Sequence, residues 1–205
     1  VTGGTSENHL VVANSIFKNN TAQHYGGAIF LAEDSYLELV DTNVYNNIAY
    51  DTFGGGIHVS KKSTIDIVAK TQDVIIFGNT AGGYAYDITM EENSTVNLIS
   101  YGGHNFKIGT IHKVYGANNS KIYAKNKDSE KEANFYFQTN PGEIETEGKA
   151  NIISAGNAET VFNNLKLTLA QESSLSVTDG RINNITLQSL NIENGGSARL
   201  AIDVS

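Results

Sequence analysis

The sequence predicts an all-β protein, a parallel β-helix or solenoid with three short strands per coil. Three observations predict it. Residues Gly26, Ile29, Leu37 and Leu39 recur 28 positions later as Gly54, Ile57, Ile65 and Ile67. Apolar and polar residues alternate in short runs, and no longer stretch carries a helical 3.6-residue period. Of 205 residues, 24 are Asn and 20 Gly, against a single Pro. Asn and Gly are the residues that tolerate left-handed backbone at sharp corners. Short strands at a fixed repeat, stacked coil on coil, are the pattern of a solenoid.

The elements follow in order. The first copy opens on residues 15–22, with Phe17 and Asn20, and passes through Gly26-Gly27-Ala28-Ile29 to alternating residues 35–39. The second runs from Asn43 through Asn47 and Gly54-Gly55-Gly56-Ile57 to residues 63–67. The third is looser, offset by 31, and carries Asn79, then Asp87-Ile88, then residues 94–98. Ile29, Ile57 and Ile88 should stack inward as one apolar ladder. Leu37, Ile65 and Val96 should form another. Asn20, Asn47 and Asn79 fall at equivalent places, where stacked amides can hydrogen-bond along the coil. After residue 100 the repeat degrades. Residues 101–119 are rich in Gly, Tyr and His, and 125–148 are dense in Lys and Glu. The second segment reads as an irregular charged excursion, with Phe135-Tyr136-Phe137 packed back onto the coil. Alternation resumes at Leu165 and continues to Val204. At about 25–28 residues each, seven to eight coils account for residues 1–205, which are expected to be one segment of a longer chain.

Composition excludes several functions. The net charge is −8 and the lysines are scattered, so phosphate backbones and anionic membrane surfaces are repelled. No nucleic-acid partner and no membrane insertion by this segment are expected. Cysteine is absent, which removes disulfides and thiolate metal sites. No apolar run approaches the ~18 residues that span a bilayer.

Phe17-Lys18-Asn19-Asn20 and Gly26-Gly27-Ala28-Ile29 resemble the paired FxxN and GGA[ILV] motifs of chlamydial-type polymorphic outer-membrane proteins, and more widely of autotransporter adhesin passengers. The second copy has Val44 for Phe and Gly56 for Ala. The third keeps Asn79 but puts Asp87-Ile88 where the Gly motif would stand. The resemblance covers about residues 10–100. It implies an exported right-handed β-helix on a bacterial surface.

Many β-helices act on polysaccharides, so catalysis is the alternative that the residues must support. Glycoside cleavage needs two carboxylates about 5–9.5 Å apart. Glu38 and Asp66 are one coil apart, with Asn97 next in line. They lie between inward residues and read as a solvated outer face. His9, His24, His58, His104 and His112 show no metal-pair spacing, and His58 should point outward. No catalytic residue and no cofactor are expected. Ca²⁺ held by Asp, Glu and turn carbonyls is the one metal left open. The expected function is a non-enzymatic adhesin scaffold. Its partner would be a cell-surface receptor or glycan, or another copy, met by insertions such as 101–119 and 125–148. The rival is an exported polysaccharide-binding or polysaccharide-degrading β-helix.

Overall fold

A computed structural model describes residues 10–51, 53–170, 172–177, 186–193 and 199–202. The first pass of the chain lays down β1 (Leu10–Ala13), β2 (Ile16–Lys18), β3 (Thr21–Ala22) and β4 (Ile29–Leu31). The second lays down β5 (Tyr36–Val40), β6 (Asn43–Tyr45), β7 (Ile48–Ala49) and β8 (Ile57–Val59). The third adds β9 (Thr64–Ala69), β10 (Val74–Phe77), β11 (Thr80–Ala81), β12 (Tyr84–Ala85) and β13 (Ile88–Met90). The fourth has β14 (Thr95–Ser100), β15 (Phe106–Ile108) and β16 (Ile111–Lys113). From there each pass has two strands: β17 (Lys121–Asn126) with β18 (Ala133–Phe137), then β19 (Glu143–Glu147) with β20 (Ala150–Ser154). A single helical turn, α1 (Ala158–Phe162), precedes β21 (Lys166–Leu169) and β22 (Ser174–Val177). The pair β23 (Ser189–Ile192) and β24 (Arg199–Ile202) follows.

Strands of successive passes pair in parallel, so the chain is a β-solenoid. Two sheets of eight strands run its length, β1-β5-β9-β14-β17-β19-β21-β23 and β2-β6-β10-β15-β18-β20-β22-β24. Two four-stranded sheets, β12-β11-β7-β3 and β16-β13-β8-β4, close the first half. The hairpin of β11 and β12 is antiparallel. From β1 to β21 the chain makes six turns; the next crosses residues outside those described. That is slightly fewer than the seven to eight expected. The coils are also not uniformly three-sided, with two long and two short strands at first and two long strands after β16. The cause is length. Residues in register are 27, 28, 31 and 26 apart in the early turns, and 22, 23 and 23 apart later. The shorter turns lack the residues for a further face.

Alternation drives the core. Burial alternates along β5, β17 and β18, with every second side chain inside. Ile29, Ile57, Ile88 and Ile111 stand in register, as do Leu37, Ile65, Val96 and Ile122. All are buried, and a full Leu or Ile burial is worth roughly 1.5–3 kcal/mol. Phe106 and Phe135 stack ring on ring, centroids 5.1 Å apart.

The reading of 125–148 as an irregular excursion is corrected. It contains β18 and β19 in full, both in register with their neighbours. Its Lys and Glu residues occupy outward positions, while Ala133, Phe135, Phe137 and Ile144 are wholly buried. Charge density concealed a regular strand pattern. His9 and the end of the last alternating run, beyond Ile202, lie outside the described residues.

Candidate functional site

The repeat motifs build the corners of the first coils. Asn20 Nδ2 donates to Asn47 Oδ1 at 2.8 Å, and Asn47 Nδ2 donates to Asn79 Oδ1 at 2.8 Å. Each of those oxygens also accepts the backbone N–H of the preceding Asn. Asn79 then donates to Asp87 Oδ1 from both Nδ2 and its backbone N, each at 2.7 Å. Asp87 Oδ2 accepts from the Thr110 N–H at 2.8 Å. One carboxylate thus ends a column of amides, offering acceptors on both sides. Burial pushes the Asp87 pKa up, and the N–H groups of Asn79 and Thr110 pull it back.

The glycines serve the same corner. Gly26 and Gly54 hold φ of +61° and +68°, the left-handed region. Gly27 and Gly55 have another role. A Cβ on Gly27 would lie 2.8 Å from the Ile48 backbone and 2.1 Å from the Gly55 carbonyl oxygen. One on Gly55 would lie 2.4 Å from the Thr80 backbone. Ile48 and Thr80 directly follow Asn47 and Asn79 in the chain. The two motifs are therefore one device: the glycine pair of one coil lets the residue after the next coil's Asn approach closely. Phe17 and Ala28 are partly buried against the core, and Ile29, Ile57 and Ile88 lie inside it.

Glu38 and Asp66 are neighbours in register, with Asn97 next. Asp66 already has partners. Tyr36 Oη donates to its Oδ2 at 2.8 Å, and Asn97 Nδ2 to its Oδ1 at 2.6 Å. Burial and this carboxylate push the Tyr36 pKa up. Tyr36, Asp66 and Asn97 thus form a hydrogen-bonded outer column. His104 lies in the turn after β14 with Nδ1 3.6 Å from Asp73.

His58 is buried. Its register is outward, but Tyr25 and Phe30 cover it, with ring centroids at 5.0 and 5.5 Å. Nε2 lies 3.3 Å from Glu91, and Nδ1 is buried without a hydrogen-bond partner. Burial lowers the His58 pKa, and the Glu91 carboxylate opposes that. Glu91 also accepts the Lys61 N–H at 3.2 Å. It forms part of a cleft of about 340 Å³ bounded by Phe53, Glu92 and the exposed Tyr115.

A larger cleft, about 540 Å³, opens on the other side of the 114–120 turn. It holds Lys113, Lys121 and Lys166 with Glu143 and Glu145. Lys113 stands in register with Met90, in the ladder that Leu31 and Val59 begin. Those three are fully buried. The fourth sheet ends at β16, so the next position of the ladder is empty of strand. Lys113 Nζ donates to the Ser120 carbonyl at 2.9 Å. Burial depresses its pKa, the Glu143 carboxylate opposes this, and the Lys166 ammonium adds to it. The remaining ion pairs are loose, Lys121 to Glu145 and Lys166 to Glu143 each at 4.0 Å. Sequence reading missed Lys113, because nothing local marks where a sheet stops. The one available signal was Ile111-His112-Lys113, which repeats Ile88-Thr89-Met90 with a cation in the apolar place.

Among the described residues, no group of three His, Asp or Glu side chains gathers as a metal site. No helix there is long and apolar enough to cross a membrane. Residues 14–32 match the model of the Chlamydia polymorphic membrane protein repeat. This is the family whose motifs Phe17, Asn20 and Gly26 to Ile29 resemble. No curated protein and no solved structure matches the chain.

Proposed function

We propose that this chain is a surface-exposed, non-enzymatic passenger segment of the adhesin type. The polymorphic membrane protein repeat, placed at the corner of a continuous parallel solenoid, carries the reading. A solenoid is stiff because each coil is locked to its neighbours by backbone ladders, and it displays its turns at fixed spacing. Side clefts and exposed tyrosines on such turns offer recognition surface without disturbing the core. Tyr25, Tyr50, Tyr84 and Tyr115 are all exposed. The hydrogen bonds of Asp66 to Tyr36 and Asn97 favour a structural role over proton transfer.

The test is adhesion by the purified chain. Beads coated with it should bind cultured epithelial cells, and the soluble chain should compete them off. Binding no better than beads coated with an unrelated β-helix would end this reading. New reducing ends or unsaturated uronate from a polysaccharide panel would replace it with the enzymatic one.

A further inference from the structure

The geometry points to the Lys113 cleft as a binding site for a single carboxylated sugar ring, with the carboxylate between Lys113 and Lys166. The inference names a ligand for the adhesion reading and rests on that reading only for its biological setting. Four observations carry it. Lys113 occupies a ladder position that three preceding coils fill with Leu31, Val59 and Met90, so a cation there replaces a packing residue. Its ammonium makes one hydrogen bond, to the Ser120 carbonyl, and has two further N–H groups to give. Lys166 lines the same cleft, and although Glu143 acts on Lys113 more strongly than Lys166 does, that one carboxylate does not balance the two ammonium groups. The cleft, at about 540 Å³, is roomy enough for a sugar ring.

The acidic residues set the class. Glu143 and Glu145 line the same cleft and meet their lysines only at 4.0 Å, so their oxygens are available to accept sugar hydroxyls. Three lysines against two glutamates leave one positive charge, enough for one carboxylate. The chain as a whole carries −8. A polyanion would therefore be repelled by the two glutamates and the overall field once for every charge it carries, whereas an isolated carboxylate meets that repulsion once and is matched by the one surplus lysine. Terminal sialic acids and single uronates share the required chemistry.

The experiment uses the intact chain with four soluble probes: sialyllactose, a glucuronic-acid disaccharide, lactose and heparin. Binding is followed by saturation-transfer NMR and calorimetry. The decisive variant is Lys113→Met, which continues the ladder of Met90 and should fold with a melting temperature at or above that of the parent. At least one carboxylated probe should bind, lactose and heparin should bind at least about tenfold more weakly, and Lys113→Met should weaken the carboxylated probe at least about tenfold. Comparing the sialylated probe with the uronate identifies the source. The proposal is overturned if neither carboxylated probe binds. It is overturned equally if lactose or heparin binds as well, or if the folded Lys113→Met retains full affinity. Bead adhesion is scored separately, so cell binding retained by Lys113→Met would leave the adhesion reading intact while sugar titrations decide this one.

Discussion

Asp87 carries more of the corner than its repeat position implies. Its two oxygens accept from Asn79 and Thr110 in opposite directions, which an amide cannot do. Asp87→Asn turns one acceptor into a donor facing an N–H, and a buried unsatisfied pair costs about 1–3 kcal/mol. Urea denaturation should show that loss, and an unchanged midpoint would mean the column ends elsewhere. His58 gives a pH prediction. Its folded pKa lies below the ordinary 6.5, so the unfolded chain takes up the proton more readily. Its contribution is therefore complete above 6.5 and is lost as pH falls below it through the folded value. Urea midpoints followed from pH 8 to pH 5 should fall more for the parent than for His58→Gln. A parallel fall in both would assign the effect to other groups. The inward register of His58's neighbours Ile57 and Val59 was legible from alternation alone. Its burial was not, because the covering rings of Tyr25 and Phe30 belong to the preceding coil.

At the scale of the element, the glycine pair and the asparagine corner should fail together. Gly55→Ala would drive a methyl into the Thr80 backbone, and overpacking of this kind costs about 3 kcal/mol. Gly83→Ala meets nothing within 4 Å and bears only its left-handed backbone, about 1 kcal/mol. Thermal melts of the two variants should fall in that order. The reverse order would show that the loop yields. The strands were read well wherever apolar residues alternate within one run, as in β5, β9 and β14. They were missed in β18 and β19: the charge-rich residues 127–132 run up to β18, and Glu143, Glu145 and Glu147 fill the outward places of β19 around the buried Ile144. The α1 turn was missed too. Asn157 caps it through the Thr160 N–H, and Val161 and Phe162 fill the core beneath.

At the scale of the whole molecule, the coil loses two of its four sheets after β16. Alternation reports which residues face inward, and it is silent on how many faces a turn has. Turn length reports that, and it became visible only once register was known. The change leaves the Lys113 cleft on one side and a thinner stack beyond it. A rod that narrows abruptly does not share a load evenly; it yields at the shoulder. Pulled in an optical trap between handles at Asn14 and Ser176, the thin section from β17 to β22 is expected to rip before β5 to β14. Rips beginning in the wide section would refute that. On a sheared cell surface such a shoulder would act as a mechanical fuse, set beside the cleft proposed to hold the ligand.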